Sequence, residues 1–162
     1  MILTQEKIAQ DQALGEQVFE FLGKGGSLRE LKNIDDKTME AIYYVAYNLY
    51  QNGKYDDALK VFKFLGLYDH LEKKYLMGIG GCQQMLQQYK DAINSYSLVA
   101  LLDITNPLPP LHAAECYLAL GDFENATSGF TAALEFAEKQ GGHEEVKDKA
   151  TKMLALVKNK LS

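Results

Sequence analysis

Apolar and small positions recur along the middle of the chain in one arrangement that repeats every 34 residues. Gly53-Lys54-Tyr55 with Ala58 and Phe62 returns as Gln87-Gln88-Tyr89 with Ala92 and Tyr96, and again as Gly121-Asp122-Phe123 with Ala126 and Phe130. A small residue precedes each turn in the same register, as Ala46, Gly80 and Ala114. Within each unit the apolar residues fall three and four apart, which predicts two helices, one over about the first fourteen positions and one over about positions 17 to 29. A unit of this size cannot bury its apolar face alone, so a strict period implies neighbouring units stacked on a shared core.

These are the marks of the tetratricopeptide repeat, in which small residues let two antiparallel helices approach and an aromatic fills the groove between them. The repeats read as 39–72, 73–106 and 107–140. They depart from the repeat consensus at position 4, occupied by Ile42, Leu76 and Pro110, and at position 32, occupied by His70, Ile104 and Glu138. The fold class is therefore all-α, three helix-turn-helix repeats in a solenoid with helices at both ends.

The flanking pattern supplies those ends. Thr4 precedes an apolar series of Ile8, Leu14, Val18 and Leu22, which predicts an N-terminal helix closed by Gly23-Lys24-Gly25-Gly26. Ser27 and Glu30 have capping-box spacing before a short helix through Leu28 and Leu31, and Asp35 or Asp36 is placed to cap the first repeat helix. Gly141-Gly142 predicts the end of the last repeat helix, after which Val146, Ala150, Met153, Leu154, Val157 and Leu161 form one stripe. The division expected is 1–38 as an N-terminal helical region, 39–140 as the repeats and 141–162 as a capping helix.

Composition narrows the function. The chain has 162 residues, enough for one ordinary domain, with 47% hydrophobic and 24% charged residues. All three prolines fall within Pro107 to Pro110, at the predicted start of a helix, where proline is best tolerated. The net charge of −5 and a single arginine, Arg29, argue against nucleic acid as a partner. Residues 35–137 hold 7 basic and 13 acidic side chains, whereas 138–162 hold 6 basic and 4 acidic, so the repeat body is acidic and the cap mildly basic. Met1 to Asp11 shows no basic and apolar leader pattern, and the longest near-apolar run, Leu98 to Leu102, is far below a membrane span. The expectation is a cytoplasmic protein that does not insert into membranes.

Catalytic equipment is not visible. His70, His112 and His143 have no neighbours at metal-ligand spacing, and no phosphate-binding or nucleophile-elbow motif occurs, so neither metal nor cofactor is expected. His112 and Glu115, three apart, make at most a local helix contact with no nucleophile beside them. Cys82 and Cys116 occupy equivalent positions on neighbouring helices, whose axes lie about 8–10 Å apart, too far for an ordinary disulfide. Two buried thiols are expected. Asn125-Ala126-Thr127 fits a glycosylation sequon but falls within a predicted helix.

What remains is the concave face. In stacked repeats it is lined by the first helix of each unit, here Glu40, Tyr43, Tyr47, Tyr50 and Gln51, then Lys74, Met77, Gly81, Gln84 and Met85, then Leu108, Leu111, Glu115, Leu118 and Ala119, with His112 beside them. Tyr43, Tyr47 and Tyr50 form a ladder along one side of a helix with Tyr44 next to it, while Ile42, Val45, Ala46 and Leu49 supply its packing face. A phenol suits a half-wet groove better than a dry core. With Tyr43 and Tyr47 where a terminal-carboxylate clamp needs Lys and Asn, the groove is suited to an extended peptide with proline or leucine anchors, taken up by tyrosine faces and Met77 or Met85. Candidate binding residues are thus Tyr43, Tyr44, Tyr47, Tyr50, Lys74, Met77, Gly81, Gln84, Met85, Leu108, Leu111, His112 and Glu115.

More specific segments lie within this frame: Gly25-Gly26-Ser27-Leu28, Tyr50-Gln51-Asn52-Gly53-Lys54-Tyr55, Asp69-His70, Gly78-Ile79-Gly80-Gly81-Cys82-Gln83, Ala92-Ile93-Asn94-Ser95-Tyr96-Ser97, Leu102-Asp103-Ile104 and His112-Ala113-Ala114-Glu115-Cys116. Through these, residues 19 to 137 resemble the class II chaperones of bacterial type III secretion, which hold hydrophobic translocator subunits before export. The resemblance implies a non-catalytic chaperone of the bacterial cytoplasm. It would hold an extended client segment of the form Pro-x-Leu-x-x-Pro, with Tyr43, Tyr47 and Tyr50 as the groove aromatics, and would form homodimers when client-free. A generic repeat adaptor for protein assembly is the alternative.

Overall fold

In the computed structural model, which describes Lys24 and residues 28–161, the described residues form eight helices and no strand. They are α1 (Leu28–Lys32), α2 (Asp36–Gln51), α3 (Tyr55–Tyr68), α4 (Lys73–Met85), α5 (Tyr89–Leu102), α6 (Leu108–Ala119), α7 (Phe123–Gln140) and α8 (Glu144–Leu161). From α2 onward each helix packs on the next, so three hairpins stack in series and α8 closes the last. The helix expected over residues 4–22 and the Ser27 cap lie outside the described residues.

Local chemistry sets the ends. Asp35 caps α2, its carboxylate accepting from the Thr38 N–H at 2.6 Å, so this helix starts three residues ahead of the repeat boundary. α6 opens on Pro107 with Pro109 and Pro110 in its first turn, where the missing N–H groups would have had no helical partner. α7 runs to Gln140, beyond the second-helix span of the other repeats, and Gly141 ends it at φ 71°.

Each hairpin turn has one residue in the left-handed region, at the same place in every repeat: Gly53 (φ 74°), Gln87 (φ 61°) and Gly121 (φ 76°). The next N–H reaches back across the turn in each case, from Lys54 to the Leu49 carbonyl (2.9 Å), Gln88 to Gln83 (2.8 Å) and Asp122 to Tyr117 (2.9 Å). These bonds close the end of the first helix and aim the second back along it. The second repeat alone makes this turn without glycine.

The core follows the 34-residue register. Ala46, Ala58, Ala92, Ala114 and Ala126 are fully buried, and the recurring aromatics Phe62, Tyr96 and Phe130 are at most 2% exposed. Close approach depends on the absent side chains: a Cβ on Gly78 would stand 2.5 Å from the Phe62 ring and one on Gly80 2.7 Å from Tyr96. The C-terminal core joins Leu111, Ala114 and Phe130 to Val146, Ala150 and Val157, with Met153 and Leu154 against it. The cap stripe thus covers the face that the last repeat would otherwise expose. Val45 departs from expectation: it is 53% exposed and, with Asn48 and Leu49, borders a shallow depression on the outer side of α2. No described helix is long and apolar enough to cross a membrane.

Candidate functional site

The first helices of the repeats bound a concave groove whose cavity is about 760 Å³. α2 contributes Tyr43, Tyr47 and Tyr50, α4 contributes Lys74, Met77, Gly81, Gln84 and Met85, and α6 contributes Leu108, His112 and Glu115. Eleven of the thirteen candidate residues therefore share one cavity. The other two do not reach it. Tyr44 is 56% exposed and meets Tyr43 edge-on at 5.9 Å. Leu111 is 2% exposed in the C-terminal core, because it shares a helix face with Ala114 and that face packs on Phe130. On α6 the groove passes instead through Leu108, His112 and Glu115, spaced four and three apart; Leu118 and Ala119 are not part of its lining, nor is Gln51 of α2.

The tyrosines divide between groove and core. Tyr47 is 44% exposed and stacks on Tyr43, with ring centroids 6.3 Å apart. Tyr43 and Tyr50 are partly buried against the N-terminal core, Tyr43 edge-on to Phe62 at 5.9 Å and Tyr50 edge-on to Tyr55 at 5.3 Å. Burial raises both phenol pKa values, so both rings stay neutral hydrogen-bonding groups. Across from them Gly81 leaves the floor open: even a Cβ there would meet Tyr50 at an ordinary 3.5 Å. Met77 sits over the core between α5 and α6, and Met85 is 47% exposed at the lip. Flat rings facing a flexible thioether form a surface that accepts pyrrolidine rings and branched aliphatic side chains.

Charge is fixed at both ends. Lys74 bonds to Glu40 at 2.5 Å and lies 4.7 Å from the centroid of the Tyr43 ring, a cation–π distance. The Glu40 bond raises the Lys74 pKa and keeps it cationic. At the other end the Tyr96 hydroxyl donates to Gln84 Oε1 (2.7 Å), Gln84 Nε2 donates to Glu115 Oε2 (3.0 Å), and His112 Nδ1 meets the same oxygen at 3.0 Å. Lys149 of α8 pairs with Glu115 Oε1. Burial alone would raise the Glu115 pKa, but the bonds from His112, Lys149 and Gln84 outweigh it and hold the carboxyl down to about 2. This network ties α4, α5, α6 and α8 together under the groove.

Register reasoning on first helices alone missed five lining residues: Phe62, Gly78, Tyr96, Lys149 and Met153. The run Gly78-Ile79-Gly80-Gly81 signals the first three, since glycines inside a helix mark where another group comes close, here the aromatics of α3 and α5. Lys149 and Met153 lie beyond the last repeat, where the period carries no information. The thiols are free and buried, and burial pushes Cys82 up to about 11 and Cys116 to about 12. Among the described residues no group of three or more His, Cys, Asp or Glu side chains is placed to hold a metal ion.

The tetratricopeptide repeat family matches residues 39–70, and three such hairpins around one half-apolar groove define a repeat scaffold that works by holding another polypeptide. The chain is 41% identical over 140 residues to Low calcium response locus protein H of Yersinia pestis, spanning 86% of this chain and 83% of that protein, and it matches a T3SS complex from Aeromonas hydrophila with TM-score 0.86 and 40% identity over 90% of this chain and 97% of that one. It belongs to the translocator chaperones of type III secretion, as does the similar Yersinia enterocolitica chaperone SycD, matched with TM-score 0.78 and 40% identity over 82% of this chain and 98% of that one. SycD has been crystallised with a peptide of the translocator YopD and as an alternative dimer.

Proposed function

We propose that this chain is a cytoplasmic, non-enzymatic chaperone that holds hydrophobic translocator subunits before export, gripping an extended client segment of Pro-x-Leu-x-x-Pro form in the concave groove. The observation that carries the reading is one cavity lined by Tyr43, Tyr47 and Tyr50 of α2 and by Met77 and Met85 of α4, with Gly81 between the two methionines leaving room at the centre. Residues 39–140 act as the client-holding array, 141–162 as its cap and 1–38 as the region through which client-free copies dimerise. The lining residues from Tyr43 through Glu115 make the contact, with Tyr44 outside the cavity beside Tyr43 and Leu111 in the core.

A translocator must be apolar enough to enter a membrane, so its exposed surface drives aggregation until something covers it. Holding one short segment tethers the client reversibly. Association and peptide ordering consume much of the apolar gain, so the groove alone binds at about micromolar strength, and further contacts on the client tighten the complex. Release is then set by competition, since holding uses no chemical step.

The test is co-expression of a translocator with this chain and with its Tyr47→Ala, Met85→Glu variant. The client is expected soluble and co-purifying with the first, and insoluble with the second. A client soluble to the same extent in both cases, or with no chaperone present, overturns the reading.

A further inference from the structure

The capping helix carries two stripes. Val146, Ala150 and Val157 pack into the core, whereas Lys149 and Met153, four apart, line the groove. Leu156 and Lys160 follow seven and eleven residues after Lys149, which places them along that same edge of the helix. Leu156 is 44% exposed and Lys160 is exposed. Met153 also packs against that core, so the apolar residue of the second stripe that covering the last repeat does not use is Leu156.

The groove is less acidic than the repeat body around it. Its lining brings in Lys74, paired with Glu40, and Lys149 of the cap, paired with Glu115, whereas the repeat body holds 7 basic and 13 acidic side chains. Glu115 also accepts from Gln84 of α4 and meets His112 of its own helix, so Lys149 is one of three groups on this carboxylate, and its side chain stays 49% exposed. We infer that α8 is a second client-reading surface: Lys149, Met153, Leu156 and Lys160 extend the groove and take an acidic–apolar flank of the bound segment, a leucine-sized side chain against Met153 and Leu156 with carboxylates on the two lysines. This rests on the groove holding a client segment, and adds which flanking chemistry it selects. Continuity with the groove wall through Lys149 and Met153 favours a client flank over a second copy of this chain.

Three fluorescein-labelled peptides test it against the full chain: Pro-Ala-Leu-Ala-Ala-Pro between Gly-Ser spacers, the same core flanked on both sides by Asp-Leu-Asp, and the core flanked by Lys-Leu-Lys. The acidic flank is expected to tighten binding about three- to tenfold over the core, as two exposed ion pairs and one apolar contact allow, and the gain should shrink in high salt. It should fall in Lys160→Gln and in Leu156→Ala, both outside the groove lining, with affinity for the core unchanged, and vanish in the Lys149→Gln, Lys160→Gln double variant. Leu156 and Lys160 are surface residues, so their single variants keep the fold and the test intact if Lys149→Gln loosens α8. Core binding with no preference between flanks, or a preference that survives every α8 variant, overturns the inference; failure of all three peptides overturns the groove reading instead.

Discussion

Tyr47 and Tyr50 lie three residues apart on one wall of the groove, yet their substitutions should separate binding from folding. Tyr47 is 44% exposed, which leaves about 100 Å² of a side chain of roughly 230 Å² open to a ligand. Complete burial of that area at about 25 cal/mol per Å² would contribute about 2.5 kcal/mol, and coverage of half of it about 1.2 kcal/mol. Tyr47→Ala is therefore expected to weaken a Pro-x-Leu-x-x-Pro peptide by about five- to tenfold. Among the described residues its one ring partner is Tyr43, so the stability loss should stay below about 1 kcal/mol, or about 2–4 °C in Tm. Tyr50→Ala removes a ring wedged against Tyr55 and the N-terminal core, and a partial core truncation of that kind costs about 2–3 kcal/mol. Peptide anisotropy and thermal unfolding followed by circular dichroism measure both effects. If Tyr47→Ala unfolds as early as Tyr50→Ala, or binds peptide as well as the parent chain, the division of the ladder into groove and core is wrong.

Other expectations follow from single sites. Glu115 has a folded pKa of about 2 against an ordinary 4.5, so its contribution is fully present above about pH 5 and is lost as pH falls toward 2. The stability difference between the parent chain and Glu115→Gln, read from urea midpoints, should shrink as pH falls below about 5; a gap that does not shrink there refutes the network. Gln87 is held at φ 61° where the other repeats use glycine, so Gln87→Gly should raise stability by about 0.5–1 kcal/mol, whereas a loss would mean that its side chain supports the turn. Burial holds the Cys82 and Cys116 thiols at about 11 and about 12, so both should resist Ellman's reagent at pH 8 in the folded chain and react at once in guanidinium, and fast reaction of the native protein would contradict their burial.

The parts of this molecule that repeat are legible in the sequence, because a strict period turns one inference into three. The left-handed turn seen at Gly53 and Gly121 falls on Gln87 as well, although glutamine carries no local signal for it. Small residues at 46, 80 and 114 likewise mark the buried helix contacts. Legibility fails where neighbours rather than register decide orientation. Val45 belongs to the apolar side of α2 by spacing but has no described helix over it, and Leu111 faces Phe130 rather than the groove. Lys149 and Met153 enter the site because α8 folds back beside α6, a tertiary event that no period in the repeats encodes.

The claim that the concave groove is the client site is tested most directly by the methionine methyl groups, which sample groove and core at once. Met77, Met85 and Met153 line the cavity, while Met39 is 2% exposed in the N-terminal core. Titration of a Pro-x-Leu-x-x-Pro peptide into methyl-labelled full-length chain should shift the Met77 and Met85 resonances in saturable fashion and leave Met39 in place. Saturable binding that leaves Met77 and Met85 unmoved would put the client elsewhere on the molecule.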